Sequence, residues 1–190
     1  MVSRRLFVSA GIASLFVAPR LAFAQLAPQM EGSYQIPERY WLREVTVKRS
    51  LPAGEIHILQ GAKFLYWTLG DGRALRYGVA VGQDGLRFTG AAEVGRKVKW
   101  PSWRPTASMI ARNPSYAEFA NGMPGGPNNP LGARALYLYR DGRDTAIRIH
   151  GTTNPASIGT PSSNGCFRMY NSHVIDLFDR VPIGTKVVAY

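Results

Sequence analysis

Disulfides are excluded from this chain: its 190 residues include one cysteine, Cys166, so stability has to come from an ordinary apolar core. With three histidines and that one cysteine, no zinc-ligand spacing can be assembled, and no metal site is expected. Past residue 24 there is no apolar run long enough to cross a bilayer, and no stable membrane anchor is expected. Basic residues outnumber acidic ones 23 to 12, yet they are scattered, with no block of five or six and no aromatic-interleaved stripe. A nucleic-acid partner is therefore not expected. Neither a phosphate-cradling glycine loop nor a dinucleotide fingerprint occurs, and no internal repeat is visible.

What is present begins with a leader. Arg4 and Arg5 form a positive head, Leu6 to Val17 is a short apolar stretch, and Ala22-Phe23-Ala24 offers small residues at a cleavage position before Gln25. Residues 1–24 read as a secretory signal peptide, and Ser3-Arg4-Arg5-Leu6-Phe7-Val8 resembles a twin-arginine export signal. The expected location is the periplasm or cell envelope. Removing the leader takes Arg4, Arg5 and Arg20 and no acid, and leaves a net charge of +8. A basic exported protein is drawn to anionic wall polymers and lipid head groups.

Residues 25–50 read as a lead-in with no clear period, and 51–190 as one domain. Strands are expected at 55–60, 62–69, 74–81, 87–100, 134–139, 145–150 and 186–190. Gly70-Asp71-Gly72 and Asp141-Gly142 mark hairpin turns between them. Six prolines interrupt 101–132, where Thr106 caps a short helix. Trp100, Trp103, Met109 and Tyr116 make this a packed loop, read as a lid or wall beside an active site. Residues 171–181 carry a helical apolar pattern, capped by Asn171 or Ser172 and ended by Pro182 and Gly184. The expected fold is mainly β: a β-sandwich of mixed, mostly antiparallel strands with one or two short helices and a long Pro/Gly-rich loop.

A thiol in an oxidising compartment is either buried and inert or kept for its reactivity. His150 closes the run Ile147-Arg148-Ile149-His150, so it shares a strand face with Arg148 and emerges opposite the core, free to accept a proton. Imidazole beside a thiol generates the reactive thiolate. The loop from Gly151 to Gly165 is rich enough in glycine to fold Cys166 back against it. Gly165 lets backbone approach a ligand, and N–H groups in that turn are expected to face a developing oxyanion. Arg168 either lowers the thiol pKa and clamps a substrate carboxylate or staples loop carbonyls. Ser162 and Ser163 offer hydroxyls for orienting the histidine or closing a turn, with Ser163 better spaced. His57 reads as structural and His173 as a surface residue. Asp144 is expected to face away from the site, so a backbone carbonyl is the candidate for orienting His150.

The segments His150-Gly151-Thr152-Thr153-Asn154-Pro155-Ala156-Ser157-Ile158-Gly159 and Ser163-Asn164-Gly165-Cys166-Phe167-Arg168-Met169 resemble the signature of the L,D-transpeptidase catalytic domain family, of the YkuD or ErfK/YbiS type. The stretch 123–136 and the helix and strand after 171 resemble it as well. The resemblance implies a cysteine nucleophile, Cys166, a histidine base, His150, and support from Gly165, Arg168, Ser163 and Gly151. It implies no metal or organic cofactor. It implies peptidoglycan stem peptides as substrate: a thioester with the third residue, release of D-alanine, and transfer to an amine to give a 3→3 cross-link. The acceptor stays open between a stem amine, a lysine of an outer-membrane protein, and water. Asn164 and Phe167 depart from the commoner residues of the motif, and a Thr-Pro-x-Gly segment is degenerate around Phe88-Thr89-Gly90-Ala91.

Overall fold

A computed structural model describes residues 28–190; the expected signal peptide at 1–24 lies outside the described residues. Eleven strands and two α-helices follow in order. They are β1 (Met30–Glu31), β2 (Tyr34–Gln35), β3 (Arg43–Thr46), β4 (Ile56–Leu59), β5 (Phe64–Gly70), β6 (Arg73–Gly78), β7 (Gly90–Lys99), α1 (Ala107–Arg112), β8 (Arg134–Arg140), β9 (Arg143–His150), β10 (Phe167–Arg168), α2 (Asn171–Arg180) and β11 (Lys186–Ala189). No helix among the described residues is long and apolar enough to cross a membrane.

The fold is mainly β, as expected. Nine strands form one mixed sheet in the order β10-β9-β8-β7-β11-β4-β5-β6-β3, and β1 and β2 form a separate hairpin. Only the β10–β9 and β11–β4 pairs are parallel. The layers come from a single sheet that rolls on itself rather than from two separate ones. The chain leaving β6 reaches the opposite end, where Ala80 bridges Arg168 and Gly82 bridges Ser163. Ala80 and Arg168 exchange both backbone hydrogen bonds, at 2.9 and 3.0 Å.

Both Asp-Gly turns take the conformation that hairpins prefer. Asp71 and Gly72 have φ of 52° and 72°, and Asp141 and Gly142 have 50° and 72°, matching the right-handed twist of the flanking strands. Alternation then sends Ile56, Ile58, Leu65, Leu136, Leu138, Ile149 and Phe167 into one core, all fully buried. The stripe Val174, Leu177 and Phe178 of α2 closes that core against β8 and β9.

Three expectations change. The lead-in is part of the fold: β3 pairs along β6, and Gln29 exchanges two hydrogen bonds with Leu42. The cap of α2 comes from that lead-in and not from Asn171 or Ser172. The Glu31 carboxylate accepts the N–H groups of Asn171 and Ser172 at 2.8 and 3.0 Å and the Ser172 hydroxyl at 2.7 Å. Such a carboxylate suits the positive end of a helix dipole. His173 is buried, not on the surface; it packs edge-on to Tyr170, and Nε2 meets Gln29 Oε1 at 3.1 Å.

Candidate active site

The parallel pairing of β10 with β9 builds the site. Phe167 lies opposite Ile149 and Arg168 opposite His150. Phe167 and Ile149 point into the core, so Cys166, Arg168, Arg148 and His150 share the other face. The fifteen residues between histidine and cysteine make the crossover that brings the end of β9 beside the start of β10.

His150 is more enclosed than expected from its place at a strand end; it is 4% exposed. The strand ends where Asn129–Ala133 folds over it, with the Leu131 carbonyl facing the ring. Nδ1 lies 2.7 Å from the Gly151 carbonyl oxygen. A carbonyl only accepts, so Nδ1 donates, and the lone pair of the neutral ring sits on Nε2. The orienting group is thus a backbone carbonyl. Burial, reinforced by the Arg168 cation, pushes the His150 pKa down to about 3.

Cys166 is half-buried. Burial raises its thiol pKa above the ordinary value, opposed by the Arg148 N–H and the guanidinium groups of Arg148 and Arg168. Sγ lies 3.9 Å from the Ala146 carbonyl oxygen. Both shifts favour the uncharged forms, the thiol of Cys166 and the neutral imidazole of His150.

The turn before the cysteine is held by Ser163. Its hydroxyl donates to the Cys166 carbonyl at 2.5 Å and accepts the Gly165 N–H at 3.2 Å. Ser163 closes the turn and does not orient His150. The Gly165 N–H, expected to face an oxyanion, is given to Ser163 instead. Gly165 has φ of +114°, and a Cβ there would meet the Leu86 carbonyl oxygen at 2.9 Å and Ile147 Cδ1 at 3.1 Å, so only glycine fits. Ser162 Oγ is buried without a partner. Arg168 is largely buried beside Cys166 and Tyr116.

Gly151 permits a close approach by Asn171, a residue the sequence reading treated only as a cap. Asn171 Oδ1 accepts the Ala133 N–H at 2.9 Å, and Nδ2 donates to the Thr152 carbonyl at 2.7 Å. It ties together the two loops that flank His150, and a Cβ at Gly151 would overlap its Oδ1. A polar cleft of about 420 Å³ beyond this bridge is lined by Glu31, Asn128, Thr152, Thr153, Pro155 and Asn171 among others.

The segment 101–132 stands beside the site. Thr106 caps α1 by accepting the Met109 N–H at 3.2 Å. Trp103 packs edge-on to Tyr116 and tilted against Phe119, and Arg112 donates to Asn164 Oδ1 at 3.0 Å, two residues from the nucleophile candidate. His57 is a structural residue, held by Tyr190 Oη at 3.0 Å and Glu55 Oε2 at 3.1 Å. Asp144 differs from expectation. The bulge around Ala146, at φ +59°, turns its carboxylate back onto Arg148, at 2.6 and 2.8 Å, and its charge is felt at Cys166.

The family profile of the L,D-transpeptidase catalytic domain, YkuD, matches residues 53–188. The chain belongs to the L,D-transpeptidase catalytic domain family. An Escherichia coli relative of this family, "Probable L,D-transpeptidase YbiS", is 34% identical over 128 residues, covering 66% of this chain and 40% of that one. A Fuscovulum blasticum relative is 40% identical over 124 residues, covering 64% of this chain and 61% of that one. The chain thus spans between two fifths and three fifths of these relatives' lengths. A solved Brucella melitensis structure, described as a "Probable carnitine operon oxidoreductase caia", is 49% identical, with 82% of this chain and 96% of that chain covered at a TM-score of 0.56. The Enterococcus faecium L,D-transpeptidase C442S mutant shares the fold at 16% identity, covering 74% and 50% of the two chains with a TM-score of 0.54.

Proposed function

We propose that this chain is a peptidoglycan L,D-transpeptidase, with Cys166 as nucleophile and His150 as base. The observation that carries the reading is the β10–β9 pairing, which sets Cys166, Arg168 and His150 on one face within the motif of the family. For the reaction Sγ has to leave the Ala146 carbonyl for the imidazole.

Sγ attacks the carbonyl carbon of the third stem residue while Nε2 of His150 takes the thiol proton. Collapse breaks the C–N bond to the terminal D-alanine, whose amine leaves with that proton. The acceptor amine then attacks the thioester, passes its proton to His150, and the sulfur leaves and is reprotonated. Burial favours the neutral imidazole and the neutral thiol, so His150 is available as a general base for the thiol proton as sulfur attacks. Arg168, one cation on that face, is the candidate for holding a stem carboxylate. Neither step calls on a metal or an organic cofactor. The leader motif assigns the protein to the periplasm or cell envelope.

Incubation of purified protein with disaccharide-tetrapeptide, followed by mass spectrometry, tests this. A cross-linked dimer with loss of D-alanine supports transpeptidation. A tripeptide points to water as acceptor, and an adduct on an added outer-membrane protein points to protein anchoring. Carbapenem is expected to add to Cys166 and not to the Cys166→Ala variant. An unmodified mass after prolonged incubation, together with unchanged tetrapeptide, refutes the acyl-enzyme reading.

A further inference from the structure

The face that carries Cys166 has a second cation that the proposed chemistry has not used. The register that sets Phe167 opposite Ile149 and Arg168 opposite His150 leads back from them to Cys166 and Arg148, and the Arg148 N–H and guanidinium both act on the Cys166 thiol. Arg148 is held from three sides. Asp144 grips it with both oxygens, at 2.6 and 2.8 Å, and its Nη1 also donates to the Ile147 carbonyl at 3.0 Å. The guanidinium lies 4.0 Å from the centre of the Tyr137 ring, and Arg96 takes a place over the same ring at 4.0 Å. A bidentate, stacked arginine whose side chain is 16% exposed has little rotational freedom. The device depends on the β9 bulge. Asp144 Oδ1 accepts the Ala146 N–H at 2.8 Å, and the Ala146 carbonyl faces Sγ.

We infer that Arg148 is a positioning cation for the Cys166 sulfur and that Asp144 sets how much of that charge the sulfur feels. The inference deepens the nucleophile reading and rests on it. Arg168 on β10 is the other cation acting on the sulfur, with His150 of β9 opposite Arg168, Tyr116 of the 101–132 segment beyond it and Arg96 of β7 beyond Tyr137. Among them Arg148 and Asp144 act with opposite sign. The cation favours the thiolate and the carboxylate opposes it. Loss of the thiol proton to His150 builds negative charge on the sulfur, and a cation already fixed beside it needs no rearrangement to stabilise that charge.

The test is the pH profile of iodoacetamide alkylation at Cys166, followed by intact mass. It reads the sulfur directly and is independent of whether the protein transfers acyl groups. Arg148→Gln is expected to slow alkylation at pH 8 about tenfold and move the profile to higher pH. Asp144→Asn breaks the same ion pair from the other side, yet is expected to quicken alkylation about threefold and move the profile to lower pH. Arg148→Lys restores most of the rate. A pair with a merely structural role would move both profiles in the same direction, and that result, or an unmoved profile in either variant, overturns the inference. Asp144→Asn leaves Arg148 stacked on Tyr137, so it decides the matter even where Arg148→Gln does not fold.

Discussion

Replacing Asn171 by alanine removes the bridge over the His150 loop without touching His150 or Cys166. Two bonds are lost: the Ala133 N–H to Oδ1 at 2.9 Å, and Nδ2–H to the Thr152 carbonyl at 2.7 Å. Ala133 is buried and Thr152 is 4% exposed, so water does not freely replace either partner. Leaving a buried donor or acceptor unpaired costs about 1–3 kcal/mol each, so the variant should lose about 2–6 kcal/mol. For a chain of this length that lowers the melting temperature by roughly 4–24 °C. Asn171→Asp keeps the acceptor but sets a carboxylate against the Thr152 carbonyl, and should recover no more than about half of the loss. The Gly151 carbonyl that holds Nδ1 belongs to one of the two tied loops, so carbapenem trapping should slow as well. Thermal melts and adduct formation by mass spectrometry read the two effects. A melting temperature within about 1 °C of the parent, with unchanged trapping, refutes this account of the loop.

Other outcomes follow from the same geometry. Glu31→Gln takes the charge from the cap of α2 and should cost about 1–2 kcal/mol, read by denaturant midpoint, although residue 31 lies in the lead-in. His150 and His173 are pushed down to about 3 and about 4, from an unfolded value of about 6.5. The unfolded chain binds protons first as pH falls, so stability is lost from about pH 6.5 downward, by about 2–3 kcal/mol per histidine at pH 4.5. His173→Gln should remove about half of that slope in urea titrations between pH 7 and 4.5. Arg112→Ala breaks an exposed hydrogen bond to Asn164 and should change the melting temperature by no more than about 2 °C. Limited proteolysis should then show faster cleavage within 101–126.

Much of the fold was legible because its signals are local. Asp71-Gly72 and Asp141-Gly142 announce hairpins since both residues accept positive φ, and the apolar stripe of 171–180 announces a helix whatever surrounds it. The lead-in was less legible. Arg43–Thr46 is a four-residue edge strand whose alternation is too short to stand out, and its identity depends on β6. His173 was misplaced because a helix position does not reveal what packs over it.

The sequence by itself determined that one thiol and one histidine belong to a family motif on a β framework, because residue order and spacing carry that information. Tertiary structure alone decided the electrical state of the site. The fold of Asn129–Ala133 over His150, the bulge that turns Asp144 back to Arg148, and the loan of the Gly165 N–H to Ser163 all depend on backbone meeting side chains across the sheet. Charge and burial are properties of neighbours in space, and the chain brings those neighbours together only when it closes on itself.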